Sequence, residues 1–404
     1  MESFDIAVVG GGMVGASLAL GLAQTRWKVV LVEGVAPAAR GQPSFDERTT
    51  ALGNASRRIF QGLGVWDAIA ADAACIEAIH VSDAGRFGFA RLMAREHGIE
   101  AFGYVAANRV IGAALWAGLT QGPRRIGLRV PARLQAVEAI EQRVELTLSA
   151  AGTSERLAAR LVIAADGADS QVRSAAGIEA HVKEYGQVAL VANVRADRAH
   201  DGTAYERFTP AGPMALLPLR DGSYTVVWAR EPADAEATLE LDDAAFLRQL
   251  QRHFGWRVGR LERAGRRSAY PLRLTRAVAP IGRRTVLIGN AAQALHPVAG
   301  QGFNLGLRDA AMLAEVLAGE SDDPGDARVL ARFAEQRASD RRGVVAFTDG
   351  LVRLFGDGRL PVGVARNVGL LIFDLLPPAK SALARVSAGF GGRTPRLARG
   401  LRLQ

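Results

Sequence analysis

A glycine-rich turn near the start of the chain constrains the fold more than any other feature. Residues 4–9 form a short apolar run, and the segment GGGMVG at residues 10–15 follows it with the spacing G-x-G-x-x-G. Residues 16–24 have the pattern of a helix, and a second apolar run at residues 28–32 ends at Glu33. This order of strand, glycine turn, helix, strand and acid is typical of a dinucleotide-binding βαβ unit.

Each position of this unit has a physical role. We expect Gly10 to make the turn, Gly12 to let the backbone approach a pyrophosphate, and Gly15 to let the helix pack closely on the strand. The pyrophosphate would lie at the helix N-terminus, where backbone N–H groups lack partners. Glu33 would accept the ribose hydroxyls, which favours FAD or NAD over NADP.

Two further blocks have the same character. The apolar run at residues 156–163 leads into ADGADSQVR, which places Asp166 at the carboxyl end of a strand, where open α/β sheets bind ligands. Residues 286–309, VLIGNAAQALHPVAGQGFNLGLRD, predict a strand, a tight turn, a Pro/Gly-rich loop and a helix from Asn304 onward. The glycines of this loop would let it approach a ligand at the helix N-terminus, although a glycine-rich turn that caps a core helix has the same pattern.

The order of predicted elements indicates an α/β protein with a discontinuous organisation. Short β-like runs fill residues 181–274. Residues 80–100 have an irregular pattern, and we expect them to form an excursion from the first domain. Three apolar or charged helices are predicted near the end, at residues 327–342, 344–355 and 362–376. We therefore expect a nucleotide-binding domain of residues 1–78, 105–180 and 275–320, a substrate domain of residues 79–104 and 181–274, and a C-terminal helical region of residues 321–404.

Composition excludes several classes of protein. The formal net charge is +9 in 404 residues, yet the arginines are spread along the chain and no nucleic-acid-binding motif occurs, so we expect no nucleic-acid partner. Cys75 is the single cysteine, which excludes an intrachain disulfide and a cysteine-cluster metal site. We find no catalytic triad and no metal-ligand spacing, and expect no metal.

The last 30 residues contain no acidic side chain and six basic ones, namely Lys380, Arg385, Arg393, Arg396, Arg399 and Arg402. Such a segment suits a membrane surface or a docking partner. A helix packed on the protein body and followed by a frayed basic end explains the same composition, and the sequence leaves both interpretations open.

Taken together and in this order, the three glycine-containing blocks closely resemble those of the class A flavoprotein aromatic hydroxylases, over about residues 4–318. Two segments, GYVAANRV and NAAQALHPVAGQGFNLGLRD, are more similar to the ubiquinone-biosynthesis branch of that family. The family usually has Gly-Asp where this chain has Gly289-Asn290, and that branch often carries Asn there. Asn290 would bind the ribityl chain of the flavin as a neutral partner.

The resemblance implies a Rossmann-like FAD-binding domain of the para-hydroxybenzoate hydroxylase type, an inserted antiparallel β-sheet substrate domain and a helical C-terminal region. It also implies FAD as cofactor, NAD(P)H as co-substrate, and insertion of oxygen from O2 into the ring of a polyprenylated phenol of the 6-methoxyphenol type. An apolar quinone precursor implies a cytoplasmic enzyme in peripheral contact with the inner face of the membrane, and a ubiquinone-biosynthesis protein complex is a further expected partner.

The same resemblance implies the site residues. Arg48 and Arg109 would lie near the phosphates or the flavin edge, and His296 would act as a proton shuttle or pack the loop. The full set expected to bind the cofactor is Gly10, Gly12, Met13, Val14, Gly15, Glu33, Arg48, Arg109, Asp166, Asn290, Pro297, Gly300, Gln301, Gly302, Phe303 and Asn304. For Arg48 a surface ion pair, and for Arg109 a structural salt bridge, explain the sequence equally well.

Two other functions share these blocks. A flavin-dependent prenyl reductase of the same fold would add hydrogen to double bonds without using oxygen. A non-catalytic FAD-binding subunit of a biosynthetic complex would keep the glycine blocks and lose turnover.

Overall fold

The structure is a computed structural model of the chain. It describes residues 1–37, 48–121, 126–150, 152–320, 322–356, 359–376, 378, 380–381, 384–385, 388–390 and 392–403. The α-helices in these ranges are α1 (Met13–Leu22), α2 (Asn54–Gly62), α3 (Trp66–Ala70), α4 (Asn108–Gln121), α5 (Gln171–Ala175), α6 (Pro232–Leu239), α7 (Asp243–Phe254), α8 (Gln301–Ala318), α9 (Ala327–Gly356) and α10 (Leu360–Leu375).

The strands of the same ranges form three sheets. They are β1 (Glu2–Val9), β2 (Val29–Val32), β3 (Thr49–Gly53), β4 (Ala74–Ile76), β5 (Ala78–Asp83), β6 (Phe89–Met93), β7 (Gly103–Ala107), β8 (Ile126–Arg129), β9 (Arg133–Ile140), β10 (Arg143–Ala150), β11 (Thr153–Ala164), β12 (Ala180–Ala196), β13 (Thr203–Thr209), β14 (Gly212–Pro218), β15 (Tyr224–Arg230), β16 (Leu261–Ala264), β17 (Ser268–Ala277), β18 (Ile281–Gly282), β19 (Thr285–Leu287) and β20 (Gln293–Ala294).

The first sheet has the order β18-β19-β11-β1-β2-β8, with β9 and β10 extending it beside β11. Its centre is parallel, since β1 pairs in parallel with both β2 and β11, and β11 with β19. Alternate side chains of β1 enter two different cores: Ile6 and Val8 pack on one face, Ala7 and Val9 on the other. Burial on both faces explains why these strands are continuous apolar runs.

The second sheet has the order β20-β17-β12-β15-β14-β13-β5-β6, with β16 beside β12. It is antiparallel except for the parallel pair β13–β5. The prediction that residues 80–100 are irregular is wrong, because β5 and β6 form an antiparallel hairpin at the edge of this sheet. β20 comes from the segment expected in the first domain but pairs with β17, and the domain bounds stay a prediction.

A small third sheet, β3-β7-β4, connects these two parts of the molecule. The C-terminal region is helical, as expected, but α9 is one continuous helix of 30 residues where two were predicted. Gly343 does not break it, because a glycine inside a helix costs only about 1 kcal/mol and the flanking turns are held by packing on α8.

The end of the chain is packed rather than frayed. Leu397, Ala398 and Leu403 are buried, and the backbone N–H of Arg396 donates a hydrogen bond of 2.6 Å to the Glu315 carboxylate on α8. The basic residues in this part therefore lie on a segment that is packed against the protein body.

Candidate functional site

A cleft of about 740 Å³ lies at the carboxyl ends of β1, β11 and β19. This is the edge at which open parallel sheets bind ligands. The predicted residues that line it are Gly10, Gly12, Met13, Val14, Glu33, Arg48, Asp166, Asn290, Gly302 and Phe303. Three segments that are far apart in sequence therefore meet at one site.

The glycine turn at the base of the cleft leaves no room for side chains. Gly10 has a φ of 102°, and a Cβ placed on it would lie 2.4 Å from the carbonyl oxygen of Ala165. A Cβ on Gly15 would lie 1.9 Å from the carbonyl oxygen of Gly10. The end of β1 is thus in close contact with β11 on one side and with α1 on the other.

Glu33 lines the cleft directly after the end of β2. Its carboxylate accepts hydrogen bonds from the backbone N–H groups of Gly11, at 2.6 Å, and Val35, at 2.8 Å. Because each carboxylate oxygen accepts more than one hydrogen bond, both remain able to accept from ligand hydroxyls.

Two helix N-termini face the cleft without a side-chain cap. The first helix, α1, begins after Gly12, and α8 begins after Gly300, which has a φ of 59°. The two helices pack closely, since a Cβ on Gly306 of α8 would lie 3.1 Å from Cγ2 of Val14 in α1. Their N–H groups and the positive ends of their dipoles are suited to anionic groups of a ligand.

Asp166 and Arg48 occupy the cleft walls and have structural contacts as well. The Asp166 carboxylate accepts hydrogen bonds from Ser170 Oγ at 2.5 Å and from the N–H of Val172 at 3.2 Å, so it holds the start of α5. The guanidinium of Arg48 lies 4.6 Å from the centre of the Tyr270 ring, a cation–π contact that joins the cleft to the second sheet.

Other predicted residues lie away from the cleft. Arg109 is half exposed, and its guanidinium is 3.9 Å from the Asp72 carboxylate. Pro297 is exposed at the surface of the loop. Asn304 is buried, accepts hydrogen bonds from Gly53 N–H and Ser56 Oγ, and donates one to a backbone carbonyl, so it joins α8 to β3.

His296 lines neither this cleft nor the second cavity described below. Its ring is buried, Nδ1 accepts a hydrogen bond from the N–H of Val298 at 3.2 Å, and the Tyr185 ring packs edge-on at 5.1 Å. Burial lowers the pKa of His296 to about 4, so the ring is neutral near pH 7. These contacts favour loop packing over proton transfer.

A second cavity of about 610 Å³ lies between the second sheet and the C-terminal helices. Its lining is mainly apolar: Ala51, Leu52, Gly53, Ile76, Ile79, Val81, Ala90, Leu92, Phe102, Gly103, Glu206, Phe208, Val298, Gln301, Asn304, Phe347, Leu351, Leu354, Phe355, Val362, Arg366, Gly369 and Leu370. Most of this lining comes from the β5–β6 hairpin and from α9 and α10, where the sequence analysis predicts no site residue.

Among the residues that the structure describes, Glu206 is the one acidic side chain in that lining. Strand alternation on β13 points Glu206 and Phe208 to the same face, and Phe208 stacks on Phe355 of α9 with ring centres 3.4 Å apart. The surface area that Glu206 exposes faces the cavity rather than bulk solvent, and burial raises the pKa of its carboxyl to about 8.

The first turn of α8 separates the two spaces. Gly302 and Phe303 line the cleft, whereas Gln301 and Asn304 line the apolar cavity. A group bound in the cleft against this turn would therefore lie next to a molecule held in the cavity.

Comparisons with known proteins agree with this architecture. Residues 3–348 match a family described as FAD binding domain. The chain is 37% identical to the ubiquinone hydroxylase UbiL of Rhodospirillum rubrum, covering 99% of this chain and 93% of the relative. It is 35% identical to the 3-demethoxyubiquinol 3-hydroxylase of Escherichia coli strain K12, covering 91% and 94%.

A solved structure confirms the predicted fold. The p-nitrophenol 4-monooxygenase PnpA of Pseudomonas putida DLL-E4 superimposes with a TM-score of 0.80 at 20% identity, covering 97% of this chain and 100% of that one. The family match, the two hydroxylase relatives and the shared fold lead to one conclusion: the chain is an FAD-dependent monooxygenase that belongs to the ubiquinone-biosynthesis hydroxylases of the FAD binding domain family.

Proposed function

We propose that this enzyme hydroxylates the aromatic ring of a polyprenylated phenol in ubiquinone biosynthesis, with FAD bound in the cleft and NAD(P)H and O2 as co-substrates. The observation that carries the proposal is the first turn of α8, which faces a polar cleft on one side and an apolar cavity of about 610 Å³ on the other. Substrate sites of this size and polarity hold apolar ligands oriented by few polar groups.

The residues of the cleft fit FAD. The space at Gly10 and Gly15 is closed to side chains, and the uncapped start of α1 offers N–H groups to a pyrophosphate. Glu33 offers carboxylate oxygens to ribose hydroxyls, and Asn290 offers an amide to the ribityl chain. When bound, the flavin supplies the redox chemistry and the activation of oxygen that no side chain provides.

The protein's own contribution is binding, orientation and exclusion of water. The uncapped N-terminus of α8 would stabilise negative charge at the edge of a bound flavin. Packing of Phe208 on Phe355 closes one end of the cavity with two aromatic rings. We propose a 2-polyprenyl-6-methoxyphenol as the substrate, with its ring at the α8 end of the cavity and its prenyl chain along the apolar wall.

We propose that the enzyme acts in the cytoplasm at the inner face of the membrane, in contact with other proteins of ubiquinone biosynthesis. A polyprenylated phenol partitions into lipid, so the enzyme must meet it there or at a partner that carries it. Among the residues that the structure describes, no helix has the length and apolarity needed to cross a bilayer.

The test is incubation of the purified, FAD-loaded enzyme with NADPH or NADH and a short-chain prenylated 2-methoxyphenol, with and without oxygen. We expect a product heavier by one oxygen atom, and only in air. A product heavier by hydrogen atoms, formed equally without oxygen, would identify a prenyl reductase. Tightly bound FAD with no product from any prenylated phenol would support a non-catalytic subunit.

A further inference from the structure

An apolar stripe covers the outer side of α10. Val364, Val368 and Ile372 follow one another at four-residue spacing, which places them on one side of the helix, and Leu376 comes directly after its last residue. Each is between 43% and 52% exposed, which is unusual for four aliphatic side chains in a row. We refer to these four residues, with Phe87 at 64% exposure on the neighbouring hairpin, as the α10 face.

The hairpin of β5 and β6 is fixed beside this helix. The backbone N–H of Gly88 donates a hydrogen bond of 2.7 Å to the Asn367 side chain, and that of Arg91 donates one of 2.8 Å to Asp374. These two hydrogen bonds fix the hairpin, with the exposed Phe87 in its turn, beside α10.

The opposite side of α10 lines the substrate cavity. Val362, Gly369 and Leu370 contribute to its wall, and Leu354 at the end of α9 both lines the cavity and is 46% exposed. The α10 face and part of the cavity wall are therefore two sides of the same helix. A prenyl chain that enters beside α10 would pass from one apolar surface to another.

Charges near the α10 face favour an anionic surface. Arg359, directly before α10, and Arg91, whose backbone N–H contacts Asp374 near its end, are exposed. Arg353 of α9 is exposed as well and lies 2.7 Å from Asp349. The nearest acids already have cationic partners, since Asp349 lies 2.8 Å from Lys183, and Asp374 lies 3.2 Å from Lys380. The rim is therefore basic beside an apolar centre, the arrangement of interfacial helices that bind anionic lipid.

We propose that the α10 face docks on an anionic lipid membrane and that the cavity takes its prenylated substrate directly from that membrane. This inference rests on the proposed function for its substrate class, and it adds the surface and the route of entry.

The test is flotation of the FAD-loaded enzyme with vesicles of phosphatidylcholine containing phosphatidylglycerol. The variant Val364→Glu/Ile372→Glu places two charges on the α10 face. The matched control, Val182→Glu/Val278→Glu, places the same charges at two valines exposed at 55% and 58% elsewhere. We expect wild type and control to float, and the α10 variant to bind at least about tenfold less.

Activity on a short, water-soluble prenylated phenol tests the proposed function without a membrane. We expect wild type, the α10 variant and the control variant to turn this substrate over equally. Equal flotation of the α10 variant and the control would overturn the docking surface. If wild type does not bind vesicles and instead self-associates through the α10 face, that face is a protein interface and the lipid proposal is wrong.

Glu206 carries a second, independent inference. Its side chain stands in a mainly apolar lining, and no hydrogen bond or ion pair to it is found among the described residues. It opens onto the cavity that the proposed function, on which this inference rests, assigns to the substrate. Arg366, the other charged group of the lining, is paired with Asp83 at 2.6 Å. The neighbouring Tyr205 and Arg207 of β13 point to the other face of the sheet.

We infer that Glu206 is the general base for the substrate phenol. The phenol O–H bond breaks, its proton passes to a Glu206 carboxylate oxygen, and the electron pair left on the phenolate enriches the ring in electron density for hydroxylation. A base with a pKa near the working pH is best suited to this transfer, and burial of Glu206 raises its pKa into that range.

Glu206→Gln keeps the shape and removes the base, while Glu206→Asp keeps a carboxylate. We expect kcat of Glu206→Gln to fall by about 10²- to 10⁴-fold, with partial rescue in Glu206→Asp. The decisive reading is the pH profile of kcat: in wild type kcat should rise as Glu206 loses its proton near pH 8, and this rise should be absent in Glu206→Gln. Superimposable pH profiles of the two proteins, with equal FAD content, would overturn the assignment.

Discussion

Arg337 Nε donates a hydrogen bond of 2.7 Å to Asp309 Oδ1, and both side chains are completely buried. Arg341 lies 3.0 Å from the other oxygen of Asp309, and Arg308 and Arg337 both pair with Asp340. The last two residues of the GFNLGLRD segment, Arg308 and Asp309, thus anchor α8 to α9. The helix whose first turn separates cleft from cavity is fixed at its middle by a buried ionic network.

Loss of one partner from this network should be strongly destabilising. Arg337→Met leaves Asp309 buried without its closest cation, and we expect the free energy of unfolding to fall by about 3–5 kcal/mol. The matched control Arg260→Met removes an exposed pair with Glu262, which should cost about 0–1 kcal/mol. Urea unfolding of both variants checks this, and equal midpoints would show that the buried network contributes no more than a surface pair.

The glycine turn supports a prediction on cofactor content. Gly15→Ala forces a Cβ against the Gly10 carbonyl, so we expect loss of most bound FAD and a lower unfolding temperature. Gly12→Val should crowd the pyrophosphate and also reduce the flavin content. Gly343→Ala meets no atom within 4 Å inside α9, and we expect it to raise stability by about 0.5–1 kcal/mol.

The flavin absorbance per protein of each purified variant is the measurement. Full flavin in Gly15→Ala and Gly12→Val would contradict the assignment of the cleft to FAD. Loss of flavin in Gly343→Ala would show that the assay reports general stability rather than the cofactor site.

His80 makes stability depend on pH. Burial, and then the Arg257 guanidinium 2.9 Å from Nε2, lower its pKa to about 4. An unfolded histidine has a pKa near 6.5, so below that pH the unfolded chain binds a proton that the folded chain does not. Its contribution is intact above pH ~6.5 and is lost as the pH falls toward 4.

We expect His80→Gln to reduce the loss of unfolding free energy between pH 7 and pH 4.5 by about 2 kcal/mol. Denaturant unfolding at the two pH values measures this difference. The control is exposed His181→Gln, which should leave the pH dependence unchanged, and parallel curves for wild type and His80→Gln would contradict the buried neutral ring.

The parts of the fold that the sequence predicts well are those with a distinct local sequence pattern. The unit of residues 4–33 and the segment around Asn304 each combine an apolar run, a glycine turn and a helix, and the structure has these elements within about three residues of the expected bounds. The edge hairpin was missed because β5 buries the polar side chains of His80, Ser82 and Asp83, so its sequence lacks the apolar alternation of a half-buried strand. The apolar cavity was not predictable, since its lining comes from segments that only the tertiary fold brings together.

Cavity volume should set the tolerance for the prenyl chain. Val81→Phe adds a ring to the lining, and we expect KM for a long-chain substrate to rise about tenfold or more while a ring with one prenyl unit is affected less. Val182→Phe, at an exposed position, is the control. An equal effect of Val81→Phe on both chain lengths would place the chain outside this cavity.

As a monooxygenase, this enzyme should insert one atom of O2 into the phenol ring. The most direct measurement is the mass of the product formed by the FAD-loaded enzyme from a prenylated 2-methoxyphenol and NADPH under ¹⁸O2. We expect each product molecule to carry one ¹⁸O atom on its ring. A product that carries no label, or oxygen drawn from water, would contradict it.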